Sequence, residues 1–175
     1  TFDFPQEEFS IEKGNLSFHG IDLLNLVKRY GLPLKFSYLP KIATNIQQAK
    51  EWFKKAFEQH NYQGQYYYCY CTKCCHFQHV ISEAVKHGVH LETSSSFDID
   101  LILNLYQDKK IDKKITIICN GYKTDEYLKK IMGIQELGFS NIIIVLDSKS
   151  ELKRILKVAG KHKIKIGMRM AINEE

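Results

Sequence analysis

The sequence predicts an α/β chain organised around a parallel sheet. Six short β-prone runs recur along it, and five of them are followed by apolar residues at helical spacing. Only three prolines occur in 175 residues, with no Gly/Ser-rich stretch, which argues against a string of tethered domains.

The first run, Leu34 to Tyr38 after Pro33, precedes Ile42, Ile46, Ala49, Phe53, Ala56 and Phe57, a stripe expected to lie buried on one helix face. Tyr66 to Cys71 is β-prone and aromatic, and Phe77, Val80, Ile81, Ala84 and Val85 repeat the stripe, with Gly88 closing it. Val89 to Thr93 precedes Ile99, Ile102, Leu103 and Tyr106. Ile115 to Cys119 precedes Tyr127, Leu128, Ile131 and Leu137, closed by Gly138; Ile142 to Leu146 precedes Leu152, Ile155, Leu156 and Ala159, closed by Gly160. Ile164 to Met170 is a last strand with no helix after it. Thr124-Asp125-Glu126 and Ser150-Glu151 place hydroxyl caps and acidic residues where helix starts favour them.

Strands alternating with helices imply right-handed crossovers and a parallel sheet. Two architectures satisfy this: the first part of a (β/α)8 TIM barrel, or an open doubly wound sheet. Residues 1–30 read as a lead-in segment and 31–175 as the α/β region.

Composition narrows the function classes. With 44% apolar and 26% charged residues the chain can bury a core without disulfides or metals. Its 25 Lys+Arg against 20 Asp+Glu leave a mild excess of +5. The lysines at 109, 110, 113, 114, 161, 163 and 165 alternate with apolar positions, as on a solvated face, so no nucleic-acid partner is expected. The longest apolar run, Ile142 to Leu146, falls far short of the ~20 residues that span a bilayer, and the N-terminus is acidic, so neither a membrane span nor a signal peptide is expected. A first residue Thr1 suggests a trimmed chain or one taken from inside a longer protein. Of five cysteines, Cys69, Cys71, Cys74 and Cys75 crowd together, which is no secreted disulfide framework and fits a reducing cytoplasm.

In either architecture the active groups follow the carboxyl ends of strands. After Cys71 comes Thr72-Lys73-Cys74-Cys75-His76. A lysine at a strand end facing a crevice is partly desolvated, which suits a Schiff-base amine, although a surface lysine in a loop reads the same way. The cysteines resemble a thiolate zinc site or a redox pair; ordinary buried, inert thiols are the simpler expectation, with neither metal nor disulfide. Glu92-Thr93-Ser94-Ser95 with Asp98 can cap the next helix and also present carboxylates. Gly121 in Asn120-Gly121-Tyr122-Lys123 permits a turn that a Cβ would forbid. Arg169 is expected to be buried among Met168, Met170 and Ala171, where it would need an anionic partner. No nucleotide-binding glycine motif is present.

Tyr70-Cys71-Thr72-Lys73, Glu92-Thr93-Ser94-Ser95, Ile118-Cys119-Asn120-Gly121-Tyr122-Lys123 with Glu126-Tyr127, Ser150-Glu151-Leu152 and Gly167-Met168-Arg169 together resemble the pyridoxal-phosphate decarboxylases with an alanine-racemase-like barrel, above all the biosynthetic arginine decarboxylases. The likeness runs from about Gly31 to Arg169. It implies pyridoxal 5'-phosphate as cofactor, with Lys73 as the lysine that forms the Schiff base and as the catalytic residue. Glu92, Ser95, Asp98, Asn120 and Arg169 complete the implied cofactor-binding set, Arg169 facing the ring. The chain departs from the usual Tyr-x-x-Lys-x-Asn by carrying Cys75 in place of asparagine. The implied reaction converts arginine to agmatine, toward polyamines such as spermidine; ornithine, lysine or diaminopimelate are the nearest alternative substrates, and a homo-oligomer is implied for the full-length enzyme. The family's glycine-rich phosphate loop, its acid toward the pyridine nitrogen, its ring-stacking histidine and its second-domain residues are expected beyond residue 175, so the chain alone is expected to be inactive. A non-catalytic zinc-binding module using the Cys69–Cys75 cluster is the alternative of another class.

Overall fold

The computed structural model describes residues 8–169 and divides into two compact units, one up to Ser37 and one from Tyr38 on. The first unit holds more structure than a lead-in segment. Strands β1 (Phe9–Glu12), β2 (Asn15–Phe18) and β3 (Ile21–Asp22) form an antiparallel sheet in chain order, followed by helix α1 (Leu23–Tyr30). Both hairpins turn on two residues with positive φ, Lys13-Gly14 and His19-Gly20, the backbone that matches strand twist in two-residue loops. Asp22 caps α1 by accepting the Asn25 N–H at 3.0 Å.

The second unit opens with α2 (Pro40–Gln59) and continues β4 (Cys69–Cys71), α3 (Gln78–Lys86), β5 (His90–Thr93), α4 (Ser96–Gln107), β6 (Ile117–Cys119), α5 (Asp125–Glu136), β7 (Ile142–Leu146), α6 (Lys149–Ala159) and β8 (Lys165–Met168). The five strands are parallel, in the order β4-β5-β6-β7-β8. The expected strand at Leu34 to Tyr38 does not form: those residues adopt no regular element and belong to no ladder. A strand needs a partner, and the apolar content of this run says nothing about whether one stands beside it. Met170, the end of the expected last strand, lies outside the described residues.

A sheet whose order never reverses decides between the two architectures. Right-handed crossovers that all advance in one direction lay every helix on the same face, as in a barrel, whereas a doubly wound sheet reverses and is covered on both. Burial agrees. Leu91, Thr93, Ile117, Cys119, Ile142 and Ile144 point to the helices and are buried; the alternate positions His90, Glu92, Ile118, Ile143 and Val145 face the other way and are half-buried. Ile99, Ile102, Leu128, Ile131 and Ile155 from the helices complete the core. The fold is therefore part of a (β/α)8 barrel.

Helix α2 departs from its expected stripe. Ile46 is buried and Ile42 and Ala49 partly so, but Phe53 is 44% exposed. Its ring stacks on Tyr66 at 3.9 Å and Phe57 meets Tyr62 at 4.6 Å, so the C-terminal half of the stripe packs against the loop that follows rather than the core. Lys50 ties α2 to the end of α3, donating to the His87 and Gly88 carbonyls at 2.6 and 3.0 Å.

Candidate active site

Lys73 sits in a single 3-10 turn, Thr72–Cys74, that begins where β4 ends, and it is exposed. Thr72 is buried and pins the turn, its hydroxyl donating to the Glu92 carbonyl at 3.0 Å. Register sets what shares the helix-free face. Cys71 lies beside Glu92, Glu92 beside Ile118, Ile118 beside Ile143 and Ile143 beside Lys165, so these five side chains point the same way. A cavity of about 370 Å³ on this face is lined by Cys69, Thr116, Ile118, Ile143 and Lys165, among others.

Two residues past Ile118, Asn120 donates from Nδ2 to Glu92 Oε1 at 3.0 Å. Glu92 is thus held from one side while Cys71 approaches from the other. Burial first, then that carboxylate, pushes the Cys71 thiol up to about 12. The thiols of Cys69, Cys71 and Cys75 are half-buried and that of Cys74 is exposed; only Cys119 is buried, where most were expected to be. Cys69 and Cys71 lie on the sheet face opposite the helices of this unit, and Cys74 and Cys75 lie in the loop beyond the end of β4. Among the described residues no group of three or more His, Cys, Asp or Glu converges in a way that could hold a metal ion.

Ser95 and Asp98 build the start of α4. Asp98 is fully buried, and its Oδ2 accepts the backbone N–H groups of Ser94 and Ser95 at 2.7 and 2.9 Å and their hydroxyls at 3.3 and 3.1 Å. Its Oδ1 meets His76 Nε2 at 3.1 Å, and the His76 side chain is 54% exposed. Asp98 is thus fixed by its own cap and in turn holds His76, to which the sequence reading assigned no role beside the cofactor. His76 three residues past Lys73 and a capping acid opposite were the available signals.

Gly121 has φ +71°, and a Cβ there would stand 2.7 Å from the Ser94 carbonyl oxygen. Close backbone approach therefore joins the loop after β6 to the turn after β5. The next residues carry a second feature that sequence reasoning missed. Lys123 and Glu151 form a buried ion pair, 0% and 2% exposed, with Nζ to Oε2 at 3.7 Å. Glu151 also accepts the backbone N–H groups of Lys123 at 2.9 Å and Asp147 at 3.0 Å, and the Lys123 ammonium donates to the Val145 carbonyl. The pair clamps the β6–α5 loop to the start of α6.

Arg169 is not buried. Its side chain is 75% exposed and its only described ion pair is with Asp147 at 3.9 Å. It follows β8, the outer strand of the five, where no further described strand covers it. Lys73 and Arg169 share the carboxyl end of the sheet with Glu92 and Asn120, as parallel alternation requires. They stand on its two outermost strands, four spacings of ~4.8 Å apart if the sheet were flat. Only Glu92 and Asn120 are in direct contact.

Comparison with known proteins agrees with this fold. Residues 43–175 match the model of the pyridoxal-dependent decarboxylase family, pyridoxal binding domain. The chain is 30% identical over 170 residues to biosynthetic arginine decarboxylase 2 of Synechocystis sp., covering 87% of this chain and 25% of that protein. It thus spans about a quarter of the length of the curated relatives it matches. Among solved structures, diaminopimelate decarboxylase from M. jannaschii superposes with a TM-score of 0.75 at 23% identity, over 94% of this chain and 36% of that one. The biosynthetic arginine decarboxylase of Campylobacter jejuni does so with a TM-score of 0.67 at 22% identity, over 93% and 29%. At these identities the superpositions speak for the fold.

Proposed function

The chain belongs to the pyridoxal-dependent decarboxylases, and from that premise we propose that it carries the cofactor-anchoring part of an enzyme that decarboxylates arginine to agmatine. The observation that carries the reading is the placement of Lys73: an exposed amine on a one-turn helix at the carboxyl end of a barrel strand, beside the sheet face opposite the helices of its own unit. These residues fit pyridoxal phosphate. Lys73 offers the amine that binds the aldehyde, and Arg169 offers an exposed guanidinium to an anionic or phenolic oxygen. Pyridoxal phosphate supplies the electron sink for loss of the α-carboxylate.

The chain's own groups set the geometry around that chemistry. Asn120 holds one Glu92 oxygen at 3.0 Å, leaving the other to accept or hold a proton at the mouth of the sheet. Asp98, fixed by the Ser94-Ser95 turn, holds the His76 imidazole at 3.1 Å, and Ser95 acts through that cap. Arginine as substrate is supported by the names of the curated relatives, at 26–31% identity. A cytoplasmic homo-oligomer acting on a small amino acid, without nucleic-acid or membrane partners, is the setting this reading assigns. Among the described residues no helix is long and apolar enough to cross a membrane.

The test is to load the protein with pyridoxal phosphate, reduce with borohydride and map the peptides. The adduct is expected on Lys73; an adduct on another lysine overturns the assignment, and Lys123, fully buried, should stay unlabelled. Lys73→Arg should leave the fold intact yet abolish labelling, because a guanidinium stays protonated. In the full-length enzyme, carbon dioxide release from arginine should exceed that from ornithine, lysine and diaminopimelate; a reversed preference refutes the substrate.

A further inference from the structure

The turn that carries Lys73 is bracketed by Cys71 and Cys74, a half-buried and an exposed free thiol. Cys71 ends β4 with extended backbone, φ −84° and ψ 109°, and Cys74 closes the 3-10 turn. An i to i+3 turn holds its end Cα atoms within about 7 Å. A disulfide asks for a Cα separation of roughly 4.4–6.8 Å, so the turn already provides the span. Cys74 is also among the groups close enough to raise the Cys71 thiol.

Other pairings fit less well. Cys69 and Cys71 are alternate residues of one extended strand, with side chains parallel rather than converging. Cys75 has left the turn with φ −160° and ψ 115°, and Cys74–Cys75 would have to close across a single peptide unit. Cys119 is buried on the opposite, helix-covered face.

We propose that Cys71 and Cys74 form a reversible oxidation site whose oxidant is hydrogen peroxide. The exposed Cys74, as thiolate, attacks one peroxide oxygen; the O–O bond breaks, and the departing hydroxide takes up the thiol proton as water. Cys74 is then a sulfenic acid. The Cys71 sulfur attacks it, the S–S bond forms as the S–O bond breaks, and the oxygen leaves as a second water with the Cys71 proton. Glu92, beside Cys71, accepts that proton and returns it to the leaving oxygen. Two thiols lose two electrons and one peroxide gains them. The ring so closed contains Thr72 and Lys73. The site goes beyond the decarboxylase reading and does not depend on it.

The full chain, reduced and freed of reductant, would be treated with hydrogen peroxide, alkylated and peptide-mapped without reduction. A single Cys71–Cys74 disulfide, two hydrogens lighter and reversed by dithiothreitol, is the expected product, with Cys119 alkylated only after denaturation. Cys71→Ser should strand Cys74 as a sulfenic acid that dimedone traps. Pairing through Cys69 or Cys75, sulfinic acid at Cys74 with Cys71 still free, or unchanged thiols at large peroxide excess would each overturn the proposal. The wild-type map stands even if the variant fails to fold.

Discussion

Replacing Glu151 by glutamine should cost far more than the loss of one surface charge would. The carboxylate serves three donors at once: the Lys123 and Asp147 backbone N–H groups at 2.9 and 3.0 Å and the Lys123 ammonium at 3.7 Å. A glutamine has one acceptor oxygen, so Glu151→Gln leaves one backbone N–H without an acceptor, at about 1–3 kcal/mol. It also leaves a buried ammonium with only the Val145 carbonyl, and an uncompensated buried charge costs about 3–5 kcal/mol. The two penalties overlap, and the expected loss is about 4 kcal/mol. Lys123→Met is milder, about 1–2 kcal/mol, because Glu151 keeps both backbone donors and stays in the first turn of α6, where the helix dipole favours an anion. The double variant should cost less than the sum of the two. Urea unfolding, with the slope unchanged and the midpoint shifted, measures all three. A Glu151→Gln protein within about 0.5 kcal/mol of wild type, or strict additivity in the double variant, would refute the buried clamp.

Two further outcomes follow from single positions. Gly121→Ala should destabilise by about 2–3 kcal/mol in the same urea assay, since φ +71° strains any side chain and the added Cβ meets the Ser94 backbone at 2.7 Å; an unchanged midpoint would mean the loop approach is not rigid. His90 is held below its ordinary pKa of 6.5, first by burial and then by Lys50, and its Nδ1 accepts the Thr116 N–H at 3.0 Å. The neutral ring is the form the fold prefers. Its contribution is therefore complete above about pH 6.5 and is lost as pH falls through the lower folded value, so thermal midpoints should drop between about pH 7.5 and 5, and drop less in His90→Asn.

Much of the α/β region was legible because its signals are local. Apolar spacing located all five helices of the second unit, and β-prone runs located five of the six expected strands, since burial on one side imposes a period on each element by itself. The stripe of α2 reads correctly at Ile46 and fails at Phe53, because spacing says which residues share a face and not what that face meets. Leu34 to Tyr38 looks like a strand for the same reason that Ile142 to Leu146 does, and only the latter has neighbours on both sides. The small N-terminal sheet was missed because its turns are Lys-Gly and His-Gly rather than the commoner Asn-Gly, although Gly14 and Gly20 bracket a β-prone run.

By itself the sequence determined the alternation of elements, the strand ends at which Lys73, Glu92, Asn120 and Arg169 stand, and the motifs shared with the decarboxylases. Tertiary structure alone decided which face of the sheet the helices of this unit cover and what each of these residues contacts there. It separated the Glu92–Asn120 pair from Asp98, which it buried under its own cap, exposed Arg169, and paired Lys123 with Glu151 across 28 residues. The reason is one of range: periodicity and turn chemistry act over a few residues. Burial, the register of parallel strands and the partner of a buried charge depend on groups brought together only when the crossovers are made.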